Sequence, residues 1–143
     1  MYEAKVLQKL KGMDGFCNIH WIGTEGEYNA MVMDILGPTI DDLFKFCDRN
    51  FSTMTFSYIA YQMITRTESI HSRGYVHRDL KPENFLIGTG KKFKTLYLID
   101  FGLVKRYICP KTNEHIEFKR KPNPTGTMRY CSANAQSSYE QSR

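Results

Sequence analysis

Asp79, Lys81 and Asn84 crowd into one short run, YVHRDLKPENFLIG (75–88), and Asp100 closes another, TLYLID (95–100). A buried strand carries few charges, so ionisable groups packed between apolar stretches point to chemistry. The apolar runs NFLIG and TLYLID read as the two strands of a hairpin joined by TGKKFK. A hairpin brings its open ends together, which sets the Asn84 amide beside the Asp100 carboxylate and offers two oxygen ligands to a small hard cation. That is the limited protein share expected of Mg²⁺ when phosphates and water supply the remaining ligands. Asp79 would stand a few ångströms away, able to orient a hydroxyl or accept its proton, and Lys81 would place a positive point charge beside a transferring phosphoryl group.

The elements that must hold these groups follow from periodicity. YEAKVLQKLK (2–11) sets Val6, Leu7 and Leu10 on one face, and Gly12 stops it, which predicts a short amphipathic helix. CNIHWIG and YNAMVMDIL are apolar runs separated by the turn-like TEGE, an antiparallel pair. Thr39 is placed to cap a helix through Leu43, Phe44 and Cys47, with Asp41 and Asp42 in the first turn, where the helix dipole favours acids. From Thr53 to Arg73, Phe56, Ile59, Ala60, Met63, Ile64, Thr67 and Ile70 recur at helical spacing, capped by Ser52 or Thr53 and stopped by Gly74. Residues 105–143 are polar, contain Pro110, Pro122 and Pro124 and lack periodicity, which predicts an extended loop.

Length and composition narrow the class. At 143 residues with 41% hydrophobic content, the chain has material for one ordinary domain. The net charge of +5 derives largely from residues 91–94 and 119–121 and forms no basic stripe interleaved with aromatics, so no specific nucleic-acid partner is expected. Four widely spaced cysteines with no C-x-x-C pair read as free thiols of a reducing compartment. AMVMDILG, the longest apolar stretch, is broken by Asp34 and too short for a membrane span. Cytoplasmic or nuclear residence, or both, is the expectation.

HRDLKPEN followed by DFG resembles the catalytic and metal-binding segments of eukaryotic protein kinases. EGEYNAMVMDILGPTIDDLFKFC, IHSRGYVHRDLKPENFLIG, LIDFGLVKRY and TGTMRYCSAN resemble the casein kinase 1 family of serine/threonine kinases, over nearly the whole chain. The resemblance implies an α+β, protein-kinase-like fold in partial form, with residues 1–36 as a remnant of the small lobe and hinge. Residues 37–143 would be the first part of the helical large lobe, including catalytic loop, DFG and activation segment. It implies ATP and Mg²⁺ as cofactors and acidic or phosphorylated protein substrates. Asp79 matches the catalytic aspartate, Lys81 its phosphate-facing partner, Thr127 a hydroxyl bridging the two, and Asn84 and Asp100 the metal ligands. Glu3 matches the helix glutamate that pairs with an ATP-binding lysine, and Met33 the gatekeeper before the hinge Asp34-Ile35-Leu36. Backbone groups of Asp34 and Leu36 would meet the adenine edge, with Leu86 and Ile99 beneath the ring. Arg78, Lys105 and Arg129 match positions that line anion sites. Two departures stand out: Ser132-Ala133-Asn134 differs in its middle residue from the family's Ser-Ile-Asn, and Pro122 replaces a further family lysine, with Lys121 adjacent but out of register.

Taken singly, several of these residues have plainer roles. Glu3 suits a solvated, dipole-favoured position in a first helical turn, Met33 and Leu86 suit a core, and His71 and His77 suit structural hydrogen bonds. GTGKK lacks phosphate-loop spacing and reads as a turn. No G-x-G-x-x-G occurs, no strand lysine precedes Glu3, and the sequence stops at EQSR, so one flank of the 53–73 helix is expected to lack its usual cover. At roughly 25 cal/mol per Å², each several-hundred-Å² apolar patch left in water forfeits several kcal/mol, comparable with a domain's stability margin. The segment alone is therefore expected to be marginally folded and weak or inactive. That gives the alternative reading: a truncated, catalytically inactive kinase fragment acting as a protein- or nucleotide-binding module.

Overall fold

A computed structural model of the chain describes residues 2–120 and 123–143; the departures at Lys121 and Pro122 lie outside the described residues. Helix α1 (Tyr2–Leu10) is followed by strands β1 (Ile19–Glu25) and β2 (Tyr28–Met33), then helices α2 (Ile40–Phe46) and α3 (Thr53–Ser72). The site region comprises β3 (Tyr75–Val76), a 3₁₀ turn at Pro82–Asn84, β4 (Phe85–Ile87) and β5 (Leu96–Leu98). A second 3₁₀ turn at Phe101–Leu103, strand β6 (Lys105–Arg106) and helix α4 (Ala133–Gln136) complete the elements that matter here. The architecture is α+β, with three separate two-stranded antiparallel ribbons among the described residues: β1–β2, β3–β6 and β4–β5.

The helix ends form where the sequence put them, because capping is local chemistry. The Thr39 hydroxyl accepts from the Asp42 amide at 3.0 Å while the Asp42 carboxylate accepts from the Thr39 amide at 3.2 Å, a reciprocal capping box. Ser52, rather than Thr53, caps α3 by accepting from the Thr55 amide at 3.1 Å. The face of α1 carrying Val6, Leu7 and Leu10 joins Phe16, Ile40, Ile70, Phe85, Leu96, Leu98 and Phe101 in one core. That core lies beneath the β4–β5 ribbon and fixes its open end.

Two expectations need correction. Phe56 and Ile64, 64% and 69% exposed, agree with the expectation that one apolar flank of α3 lacks cover, but its inward face is not a simple apolar stripe, because Gln62 and Arg66 are buried in it. The reason is the narrowness of the ribbon, since a two-stranded sheet leaves main-chain groups of β5 without a third strand to pair with. Gln62 accepts from the Leu96 amide at 2.8 Å and donates to the Lys94 carbonyl at 3.0 Å, and Arg66 Nε donates to the Leu96 carbonyl at 3.0 Å. Gly15 makes this crossing possible: a Cβ there would fall 1.8 Å from Arg66 Nε, its φ is +79°, and its carbonyl accepts from the Leu98 amide at 3.0 Å.

The 105–143 region is not wholly extended. It contains β6, a 3₁₀ turn at Met128–Tyr130 and α4, capped by Ser132, and it makes backbone bridges Ile108↔His115 and Arg120↔Tyr139. β3 and β6 are two residues each and pair across a long stretch of chain, so neither leaves a local periodic trace. Among the described residues, no helix is long and apolar enough to cross a membrane.

Candidate active site

The β4–β5 hairpin places Phe85 opposite Leu98, and just beyond that pair the Ile99 amide donates to the Asn84 carbonyl at 3.0 Å. Asn84 and Asp100 therefore leave the ribbon from adjacent ends. The Asn84 amide nitrogen donates to the Asp79 carbonyl oxygen at 2.9 Å and lies 3.4 Å from Asp79 Oδ2. This ties down the amide nitrogen and leaves the side-chain oxygen as the atom that could bind a ligand. Asp100 is exposed, in the left-handed region at φ +62°, with Oδ1 accepting from the Gly102 amide at 3.3 Å.

Asp79 is buried at 7% exposure, and both its oxygens are engaged. Oδ1 accepts from the Thr127 amide at 2.7 Å and from the Thr127 hydroxyl at 2.8 Å; Oδ2 faces Lys81 Nζ at 2.8 Å. Lys81 Nζ also donates to the Thr127 hydroxyl at 3.0 Å. The structure thus brings Asp79, Lys81, Thr127 and Asn84 together, with Thr127 spanning the acid and the base. Burial pushes the Asp79 carboxyl up, but the Lys81 ammonium and the two Thr127 bonds outweigh it and hold it below the usual aspartate value; Asp79 in turn raises Lys81. A carboxylate this well stabilised is a weak base, so it is suited to orienting a hydroxyl and taking its proton late, once bond formation has drawn electron density from the attacking oxygen and made that proton acidic.

Gly126 permits the approach of Thr127. Its φ is +93°, and a Cβ there would stand 2.3 Å from the Arg78 carbonyl oxygen. His77, 2% exposed, joins the loop to the hairpin: its Nδ1 accepts from the Asp79 amide at 3.3 Å, so Nε2 carries the proton donated to the Ile99 carbonyl at 3.0 Å. Burial pushes its pKa down, which keeps it neutral in this bridging role. Its ring packs edge-on against Phe101, centroids 5.3 Å apart.

The other sequence-flagged residues are placed as follows. Glu3 Oε1 accepts from the Phe101 amide at 3.0 Å, so α1 is bound to the main chain just after Asp100. Met33 is half-buried against the core, and Leu86 and Ile99 are half-buried. The Asp34 carboxylate is held by the Asn18 amide and side chain, both at 2.9 Å, and by His20 at 2.8 Å, while its own amide donates to the Asn18 carbonyl at 3.2 Å. The hinge is sewn to β4 by Gly37 N–H to Ile87 O at 2.8 Å and Ile87 N–H to Pro38 O at 3.1 Å. Asp34 and Leu36 line a shallow cavity with Gly88, Thr89, Lys92 and Tyr97, in which Met33, Leu86 and Ile99 take no part.

Of Arg78, Lys105 and Arg129, Arg129 lies apart from the other two, whereas Lys105 pairs with Glu140, which lines the same cavity as Arg78. Arg78 Nε donates to the Leu103 carbonyl at 2.6 Å, Lys105 pairs with Glu140, and Arg129 lies over the Tyr130 ring and lines a separate cavity with Phe44, Phe51 and Phe56. Gln62, Arg66, Gly126 and Glu140 were not singled out by sequence; of these, Gly126 alone had a local signal, standing between two threonines in TGT. A family model described as protein kinase domain matches residues 1–140.

Proposed function

We propose, from the premise that this chain belongs to the protein kinase domain family, that it acts as a serine/threonine kinase of casein kinase 1 type. On this reading it transfers the γ-phosphate of ATP to hydroxyls of acidic or already phosphorylated proteins. The observation that carries it is the closed set of contacts among Asp79, Lys81, Thr127 and Asn84 at the open end of the β4–β5 ribbon. Asp79 orients the acceptor hydroxyl and receives its proton; Lys81 neutralises charge on the migrating phosphoryl group; Thr127 holds both in register.

The residues present fit Mg²⁺. One exposed carboxylate and one amide oxygen make a hard, oxygen-only and deliberately incomplete donor set, which suits an ion that takes its other ligands from phosphates and water. Bound between Asn84 and Asp100, the ion would neutralise phosphate charge during transfer. Leu86 and Ile99, both half-buried, would pack beneath the adenine ring, and since the Asp34 amide is already committed to Asn18, the Asp34 carbonyl and a backbone group of Leu36 would meet the adenine edge. Residues 1–36 would serve as small lobe and hinge and residues 37–143 as the front of the large lobe.

Casein phosphorylation by the purified full protein tests this. Asp79→Asn should lower the rate by at least ~100-fold, the range expected for a lost positioned carboxylate, while leaving nucleotide binding intact. Undiminished turnover would remove Asp79 from its role. The family match does not favour the noncatalytic binding-module reading, which would be revived by nucleotide binding with Mg²⁺ and no turnover on any protein hydroxyl.

A further inference from the structure

Between β2 and α2 the chain has no sheet or helix of its own, and side chains hold it in place. Asp34 follows the last residue of β2, and its carboxylate is filled from the start of β1. Oδ2 accepts from the Asn18 amide and from Asn18 Nδ2, both at 2.9 Å, and Oδ1 accepts from His20 Nε2 at 2.8 Å. His20 reaches it because β1 is bulged there. Ile19 pairs with Met33 and Trp21 with Val32, so two steps along β1 match one along β2 and His20 is the extra residue. Ile19 packs on the core while Trp21 is 48% exposed, a change of face that a regular strand does not make over two residues. The Asn18 main-chain bond, against burial, is the chief cause that holds the Asp34 carboxyl below the usual aspartate range, so the group is an anion near neutral pH. Further along, the Thr89 hydroxyl donates to the Ile35 carbonyl at 3.2 Å, and Gly37 and Pro38 bond to Ile87. Among the described residues, Leu36 alone of 34–38 makes no hydrogen bond.

We propose that Asn18 and His20 are positioning residues for nucleotide binding, clamping the Asp34 carboxylate so that residues 34–38 are set before the nucleotide arrives. The ligand's identity rests on the kinase reading above; the clamp does not. Neither residue touches the nucleotide: both act through Asp34, whose carbonyl, with the Leu36 main chain, is left to meet the adenine edge. The Asp34 amide also donates to the Asn18 carbonyl at 3.2 Å, a main-chain bond that any side chain at either position would allow. The three bonds to the carboxylate depend on the residue types. A binding edge fixed in advance spares the nucleotide the ordering cost. Because the adenine end is unchanged during phosphoryl transfer, its contacts act equally on bound substrate and transition state. Loss of the clamp therefore appears in KM and not in kcat.

The test uses the full protein. Asn18→Asp replaces a donor by a second carboxylate facing Asp34. It should raise KM for ATP, and Kd for a non-hydrolysable ATP analogue with Mg²⁺, about tenfold, the effect of one lost hydrogen bond to a charged group. Its kcat should stay within about twofold of wild type. In the nucleotide-free protein the Asp34 and Gly37 amides should exchange their hydrogens faster by a similar factor. Adding Asp34→Asn to Asn18→Asp again sets an amide against a carboxylate, and should bring affinity and protection back to within about threefold of wild type. His20→Ala, at an exposed position, should weaken nucleotide binding about threefold with the same split between KM and kcat, and it decides the matter should Asn18→Asp fail to fold. Wild-type affinity and exchange in Asn18→Asp would overturn the proposal. So would a loss that the added Asp34→Asn leaves uncorrected, or a matching fall in kcat and urea stability, which marks a general support of the fold. A wild-type protein that binds no adenine nucleotide would overturn the kinase reading and the ligand named here, while the exchange rates would still decide the clamp.

Discussion

Replacing Thr127 by valine removes one hydroxyl and almost no volume, so it isolates what that hydroxyl does. The group donates to Asp79 Oδ1 at 2.8 Å and accepts from Lys81 Nζ at 3.0 Å. Hydrogen bonds to charged groups contribute about 1.5–3 kcal/mol each. The two losses do not add, because the Thr127 amide remains 2.7 Å from Asp79 Oδ1 and Lys81 remains 2.8 Å from Oδ2. We therefore expect a net loss of about 1.5–3 kcal/mol in the transition state, a fall in kcat/KM of roughly 10- to 150-fold, with Thr127→Ser close to wild type. The pH dependence has a defined sign. The hydroxyl is one of the groups holding the Asp79 carboxyl low against burial, so its loss moves that pKa up and carries the acid limb of the rate profile to higher pH. Stability follows the same linkage: a depressed aspartate stabilises the fold above its ordinary pKa and loses that contribution as pH falls through the folded value, so the valine variant should be less stabilised by this group near neutral pH. Carboxyl titration of Asp79 by NMR reads the shift without requiring turnover. A valine variant within threefold of wild type, with its acid limb unmoved, would refute the bridging role.

Gln62→Leu should destabilise the fold by about 1–3 kcal/mol in urea titration, because it strands the buried Leu96 amide, while the Lys94 carbonyl keeps the Tyr58 hydroxyl at 3.2 Å; a loss under about 0.5 kcal/mol would show that water replaces the side chain. Gly126→Ala should abolish most phosphorylation with little change in far-UV circular dichroism, since its Cβ meets the Arg78 carbonyl at 2.3 Å and must displace Thr127 from Asp79; full activity would show that the loop yields freely. Near neutral pH, iodoacetamide should label Cys109 well before Cys17, because main-chain hydrogen bonds from Thr112 and Lys111 draw the Cys109 pKa down while burial pushes Cys17 up to about 11; mass spectrometry of labelled peptides gives the order, and equal rates would contradict it.

What was legible in the sequence is what local chemistry decides. Thr39 with Asp42, and Ser52 with Thr55, cap helices within a few residues of themselves, and the hairpin is written into two adjacent apolar runs whose ends must meet. The contact of Thr127 with Asp79 spans 48 residues and was reached through resemblance of TGTMRY to a known family, because nothing local links the two. Apart from His77, which the sequence suited to a structural hydrogen bond, polar side chains that serve distant main chain were invisible. Gln62 and Arg66 interrupt an apolar pattern and look solvated, Glu3 suits a first-turn dipole, and Glu140 lies in a stretch without periodicity. All but the last have the same physical cause. Each ribbon here has only two strands, so the amides and carbonyls along its outer edges, and those just past its ends, have no third strand to bind. Gln62 and Arg66 supply partners along β5, His77 at Ile99 and Glu3 at Phe101. Apolar burial sets the hairpin against α1, but it is non-directional. The direction in which Asn84 and Asp100 leave the ribbon is set by these side-chain-to-backbone bonds, so replacing them should disturb the site before it disturbs the core.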